Sequence, residues 1–422
     1  MTGDRRRREF LSLGLSAAGL AGLGGETWDG SRGRGAVTAP VSDGPPDGVA
    51  AFESADRGRR GDTGSRPDAS CAAPREPVDV RGAAYLPARA YNFFQMWANY
   101  DRSVVERDLG YARRVNLNAV RTWVSYEFWD RNPRAHERAF DHFLRAASDR
   151  GIGVLVSLFE GNGVWPTEKH LRDRNPFTAF GVRSPGYHVL TDRSSWDGPR
   201  AFVEWFAERY RDDDRLLAIE VMNEPGWADV TQSFARSMFR ALSRNRGRVP
   251  LTVGSTSMAN NATYLDWGTD VLRFHYNFPD SRGTYRRALR RVSGLADAWD
   301  GPTWLTEWQR VRSPPFGTCP PNDDHTYPDY ASLAPVIHDS GFGNFFWSLM
   351  VKPAYLPPMR GNGVLNGLFH EDGAVWSLED ARAIKAMSGD PGFDGEERRE
   401  WPSWAAVVKE KACDRRSGRQ SS

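Results

Sequence analysis

Between residues 78 and 388 the chain repeats one rhythm eight times, and that rhythm constrains its fold more than any other feature. Short apolar or β-branched runs alternate with segments of helical period. The predicted strands are 78–84 (VDVRGAA), 117–124 (LNAVRTWV), 152–159 (IGVLVSLF), 216–222 (LLAIEVM), 250–256 (PLTVGST), 271–276 (VLRFHY), 302–306 (PTWLT) and 342–349 (FGNFFWSL). Between them run stripes such as Val105, Leu109, Ala112 and Phe140, Phe143, Leu144, Ala147, whose spacings of three and four mark one inward face of a helix. Phe202, Val203, Phe206 and Tyr210 repeat the pattern, and residues 378–387 supply a last helix. Near-continuous apolar strands belong to a sheet buried on both faces, which is a parallel sheet. Eight such units predict an α/β fold, a single (β/α)8 TIM barrel. A doubly wound open sheet is the competing topology. No G-x-G-x-x-G follows the first strand, which weakens its dinucleotide-binding form.

The flanks read differently. Residues 1–24 begin with a basic cluster, Arg5 to Arg8, followed by Glu9-Phe10-Leu11 and a short Gly-rich apolar run. That order is a targeting segment of twin-arginine type, too short for a membrane span. It predicts export, to a secreted, periplasmic or cell-surface location, with membrane contact only through that segment if it is retained. Residues 25–76 are Gly, Arg, Asp, Ser and Pro without apolar periodicity, and they read as a disordered linker. The folded domain is expected over 77–404, with a polar tail over 405–422. Cys71, Cys319 and Cys413 are far apart and lack metal-ligand spacing. Lys+Arg number 56 and Asp+Glu 54, so the net charge of +2 leaves no basic excess for phosphates and argues against nucleic acid as a partner.

In a barrel the chemistry sits at the C-terminal ends of the strands. There the second strand carries Arg121, the fourth ends in Asn223-Glu224, and the sixth ends in His275-Tyr276-Asn277. The seventh ends in Glu307-Trp308 and the eighth carries Trp347. A charged residue directly after the buried run LLAIEVM costs free energy unless it has a task there. Two carboxyls facing each other across a pocket can divide glycoside hydrolysis between them. One donates a proton to the leaving oxygen, and the other attacks the anomeric carbon or activates water. Their environments must then differ: Arg121 keeps one charged, a tyrosine hydroxyl orients it, and the other stays neutral beside that charge.

These residues resemble the clan A glycoside hydrolases, most closely the cellulase-like family 5 group. The resemblance spans about 78–388 and rests on VNLNAVRTWVS, VMNEPG, WLTEWQ, FFWSLM and GLFHEDG. It implies Arg121 beside the nucleophile, Asn223 on the sugar 2-hydroxyl and Glu224 as acid/base. It also implies Glu307 as nucleophile and Trp347 as the floor of a sugar subsite, with His275, Tyr276 and Trp308 among the substrate-binding residues. Two departures stand out. The third strand ends Phe159-Glu160-Gly161-Asn162, where many relatives carry a histidine. His275 and Tyr276 are adjacent rather than separated by one residue; alternation directs them to opposite faces, and a bulge would bring both inward. The implied reaction is retaining, on β-linked glucan or mannan, with no cofactor or metal, by a monomer whose partner is an oligo- or polysaccharide. A transglycosylase shares every residue named. A non-catalytic carbohydrate-binding barrel would keep the 16 tryptophans and lose a glutamate. A metal-dependent hydrolase built on His275 lacks an H-x-H pair on the first strand.

Overall fold

The computed structural model describes residues 79–417 apart from 278, 280, 300, 311–327, 356–358 and 361–362. The predicted targeting segment and linker, Cys71 and Cys319 lie outside the described residues. All eight predicted strands form. They are β1 (Arg81–Ala84), β2 (Ala119–Trp123), β3 (Gly153–Glu160), β4 (Leu216–Asn223), β5 (Leu251–Thr252), β6 (Leu272–His275), β7 (Thr303–Gln309) and β8 (Gly343–Trp347). They make one parallel sheet in the order β5-β4-β3-β2-β1-β8-β7-β6. Each is followed by a helix: α1 (Arg102–Arg114), α2 (Pro133–Ser148), α3 (Asp197–Tyr210), α4 (Asp229–Arg244), α5 (Asn261–Trp267), α6 (Arg282–Ala296), α7 (Tyr330–His338) and α8 (Leu378–Ala386).

The ladder runs unbroken from β5 round to β6, and the remaining seam is closed by other means. The Asp270 N–H donates to the Leu251 carbonyl at 2.8 Å, and Thr252 Oγ1 donates to the Val271 carbonyl at 2.8 Å. The Asp270 carboxylate accepts from the Leu251 N–H at 2.7 Å and holds Arg246 in an ion pair. The result is a TIM barrel, with the runner-up open sheet excluded. β5 is shorter than its apolar run; beyond Thr252, Gly254 still bonds the end of β4, its N–H donating to the Met222 carbonyl at 2.9 Å and its carbonyl accepting the Glu224 N–H at 3.1 Å.

Two apolar layers set the barrel. Inside its lower end, Val80, Ala119, Leu155, Leu217, Ala218, Val271, Trp304 and Phe345 form a closed plug. Outside, the helical stripes pack on the sheet: Phe140, Phe143, Leu144 and Ala147 of α2 are fully buried, as are Phe234, Met238 and Ala241 of α4. Truncating a phenylalanine in such a layer costs about 3–5 kcal/mol. Caps fix where helices start. Asp101 accepts the Ser103 and Val104 N–H groups ahead of α1, and Asp329 and Ser332 form a reciprocal capping box at α7.

The predicted polar tail is instead a helix, α9 (Ala406–Ser417). Ala405 and Val408 are buried against Val351, Leu365, Trp376 and Trp401, so a few apolar side chains suffice to dock a mostly polar segment. Among the described residues no helix is long and apolar enough to cross a membrane.

Candidate active site

Above the apolar plug the barrel interior becomes charged. Arg121 of β2, Glu220 of β4 and Arg273 of β6 are all fully buried. Arg121 grips Glu220 through Nε at 3.2 Å and Nη2 at 3.0 Å, and Arg273 closes on the other side of the same carboxylate. Burial pulls the Glu220 carboxyl up, but the two guanidinium charges outweigh it and set it at about 2. Burial and the neighbouring Arg121 charge push Arg273 down to about 10 despite that carboxylate. Arg121 is the exception: burial works against its charge, yet Glu220 and Glu307 together hold it above the ordinary arginine range.

One strand-turn higher lie the two glutamates singled out from the sequence. Arg121 reaches upward, and its Nη1 donates to Glu307 Oε1 at 2.7 Å. Asn277 Nδ2 donates to the other oxygen of Glu307 at 3.1 Å. Glu224 faces it from the end of β4, with φ of 42°, in the left-handed region that only glycine enters freely. That backbone costs about 1 kcal/mol or more. It is held by close packing: a Cβ on Gly161 would fall 2.1 Å from the Glu224 carbonyl oxygen, and one on Gly254 would fall 2.3 Å from Glu220 Oε1. Glycine at both positions lets β3 and the post-β5 segment press against β4. Glu224, His275 and Glu307 thereby bring one ligand-type atom each to within 4.8 Å of one another.

His275 Nδ1 bonds Glu224 Oε1 and lies 3.6 Å from Glu307 Oε2. An ionised carboxylate can only accept, so Nδ1 carries the hydrogen in that state. Asn162 Nδ2 donates to the other oxygen of Glu224. Burial alone would raise the Glu224 carboxyl. The charge and hydrogen bond of His275, the Asn162 bond and the Arg121 charge overcome that, and it sits below the usual carboxylate range. The expectation that the second carboxyl stays neutral beside the first is therefore corrected: the imidazole between them decides the sign.

A third carboxyl is pushed the opposite way. Glu160 at the end of β3 accepts the Asn162 N–H at 2.7 Å and Asn223 Nδ2 at 3.0 Å. Burial, with Glu224 and Glu307 nearby, drives it well above the carboxylate range despite those two bonds. Asn223 is the hinge of the layer, since its Oδ1 also accepts from Arg121 Nη2 at 2.6 Å.

Of the residues picked from the sequence, Arg121, Asn223, Glu224, His275 and Glu307 meet in one cluster. Trp347 lines its edge, packed 6.1 Å from Trp123 and 5.3 Å from Tyr355 between ring centroids. Tyr276 and Trp308 do not join. A register shift does occur between Phe274 and His275, pairing His275 with Glu307, but it leaves Tyr276 facing outward. The Tyr276 ring packs 4.7 Å from Tyr285, and its carbonyl accepts the Tyr285 hydroxyl. Trp308 is fully buried between β7 and α7, edge-on to Tyr330, with Nε1 donating to Asn344 at 3.1 Å. Asn277 takes the inward place, and period-two counting from His275 was the signal for it. Tyr355, on the segment after β8, was missed. Burial and the charges of Glu160, Glu307 and Glu224 raise it, so its hydroxyl stays protonated as a donor near all three carboxyls.

No family model matches the chain, and no curated relative matches it. Solved structures do. GH5_18 from Streptomyces cattleya, in complex with GlcNAc, superposes with a TM-score of 0.51 at 18% identity, covering 81% of this chain and 88% of that one. An endo-β-1,4-mannanase from Thermotoga petrophila gives 0.51 at 12% identity over 74% of this chain and 77% of that one. An exo-β-1,4-mannosidase from Opitutaceae bacterium strain TAV5 gives 0.54 at 18% identity over 76% of this chain and 61% of that one. At these identities the likeness is one of fold.

Proposed function

We propose that the chain is a retaining glycoside hydrolase acting on β-linked saccharides, with Glu307 as nucleophile and Glu224 as acid/base. The observation that carries this reading is the approach of carboxyl oxygens of Glu224 and Glu307 to within 4.8 Å. Retaining enzymes hold the pair about 5 Å apart, whereas inverting enzymes leave roughly 6.5–9.5 Å for a water. The two surroundings are also unlike, as the division of labour requires. Glu307 takes a guanidinium on one oxygen and an amide on the other. Glu224 bonds an imidazole, a group able to pass and hold a proton.

The chemistry follows from those positions. Glu307 attacks the anomeric carbon as Glu224 protonates the departing oxygen, giving a glycosyl ester on Glu307. Glu224, now ionised, takes a proton from water, which attacks the same carbon and frees Glu307. A resting Glu224 below the usual range needs to rise for the first step. A sugar seated on it excludes water and adds to the burial that already works in that direction. Asn223 contacts the sugar beside the nucleophile, Trp347 supplies an apolar floor, and Trp227, 57% exposed three residues beyond Glu224, offers a platform on the leaving-group side.

The mannan-active neighbours make mannan the first substrate class to test, with glucan second. The assay is hydrolysis of 4-nitrophenyl β-mannoside and β-glucoside and of β-1,4-linked oligosaccharides. Glu307→Ala and Glu224→Ala are each expected to lower kcat by several orders of magnitude with the fold retained. Azide is expected to rescue Glu224→Ala on an aryl glycoside and yield a β-glycosyl azide. Near-normal turnover in both variants rejects the assignment.

A further inference from the structure

We infer that Glu160 is a positioning residue whose carboxyl, by holding Asn162 and Asn223 together, ties the surroundings of Glu224 to those of Glu307. The inference rests on the glycosidase reading for its consequence and on geometry for its substance. The contacts form a circuit. Arg121 Nη1 donates to Glu307 at 2.7 Å, and its Nη2 donates to Asn223 Oδ1 at 2.6 Å. Asn223 Nδ2 donates to both oxygens of Glu160 at 3.0 Å. The Asn162 N–H donates to Glu160 Oε1 at 2.7 Å, and the Asn162 side chain donates to Glu224. His275 completes the loop between Glu224 and Glu307.

Glu160 is the link in that circuit that gathers two amides, the Asn162 backbone N–H and the Asn223 side chain. Asn162 follows Gly161, where the chain is pressed on the Glu224 carbonyl and turns without a side chain to steer it. The Glu160 carboxyl supplies the steering. Its backbone is pinned separately, by N–H and carbonyl bonds to Ser184 at 3.1 and 2.9 Å, so the side chain is not required to keep β3 in place. Its charge state suits the task. The charged and titratable groups around it are Glu224, Glu307, Arg183 and Tyr355. A neutral carboxyl accepts from the two amides without drawing Arg121 away from Glu307.

The test reads Glu224 directly and needs no substrate. In protein labelled with 13C-carboxyl glutamate, the Glu224 resonance is assigned by its loss in E224Q and titrated with pH. In E160A the Asn162 donor is released, so Glu224 is expected to titrate higher than in the wild type. N162A is expected to move it by a similar amount, and the double variant no further. E160Q, which keeps an acceptor of the same shape, is expected to restore the wild-type titration. E160D, one methylene short of both amides, is expected to resemble E160A and serves if E160A fails to fold. With 4-nitrophenyl β-mannoside, kcat/KM is expected to fall about 10–100-fold in E160A and to recover in E160Q, the usual scale for a group that orients a catalytic one. An unmoved Glu224 titration in E160A and E160D, or independent shifts that add in the double variant, overturns the inference. Failure of Glu307→Ala to abolish turnover would instead strike the glycosidase reading and leave the titration result standing.

Discussion

Replacing Glu220 with glutamine isolates the charge at the centre of the barrel while keeping its shape. Glu220 lies fully buried between Arg121 and Arg273, and it titrates at about 2 rather than the ordinary 4.5. That displacement corresponds to about 3 kcal/mol of stabilisation at neutral pH. The figure agrees with the roughly 3–5 kcal/mol lost when one partner of a buried pair is removed. The sign follows from the depressed value. The stabilisation is complete above 4.5, where Glu220 is ionised folded or unfolded, and is lost as pH falls toward 2 and only the unfolded chain takes up the proton. Urea unfolding of wild type and Glu220→Gln is expected to differ by about 3 kcal/mol near neutral pH. The gap should narrow by about 1.4 kcal/mol for each pH unit below 4.5. Equal stabilities, or a gap that does not change with pH, would refute the electrostatic account and leave only shape.

Asn277→Ala removes a hydrogen bond to the carboxyl of Glu307, the proposed nucleophile; at about 1.5–3 kcal/mol for a bond to a charged group, kcat/KM should drop about 10–100-fold with little change in melting temperature. Because Glu224 sits below the usual carboxylate range and the proposed acid role requires its proton, kcat/KM for a poor leaving group should begin to decline, as pH rises, already on the acid side of neutrality. A dinitrophenyl leaving group needs no acid, and its profile should lose that decline; identical profiles would remove Glu224 from the acid role. The atoms that Glu224, His275 and Glu307 bring together also suit a divalent cation, but the Arg121 guanidinium already occupies Glu307. Activity is therefore expected to survive EDTA dialysis, and restoration of a lost activity by zinc would contradict this.

Most of the fold could be read because both faces of a barrel strand are buried. Leu216 to Met222 and Gly153 to Phe159 show near-continuous apolar runs for that reason, interrupted only by the buried Glu220 and Ser157, and the helices between them show one stripe each. The ends were harder. β5 is regular only at Leu251 and Thr252, and beyond them Gly254 alone keeps hold of the end of β4, its N–H donating to the Met222 carbonyl and its carbonyl accepting the Glu224 N–H, contacts no local pattern announces. The site divides along the same line. Arg121, Asn223, Glu224, His275 and Glu307 are polar residues at the mouths of apolar strands, and their cost of burial marks them. Alternation alone separated His275 from Tyr276 and would have favoured Asn277. The parts Glu160, Asn162 and Tyr355 play depend on contacts between β3, β4 and the segment after β8. Trp308 misled because an aromatic beside a reactive residue looks the same whether it faces a ligand or the helix behind.

The single guanidinium of Arg121 has two clients: it neutralises the keystone carboxylate in the barrel interior and it holds Glu307, the proposed nucleophile, at the mouth. Durability and turnover are thus wired through one side chain, and a lesion there confounds the two. Variants at Arg121 will look like catalytic failures in one laboratory and folding failures in another. Asn277, which touches the proposed nucleophile Glu307 without bracing the interior, is the cleaner place to weigh chemistry by itself.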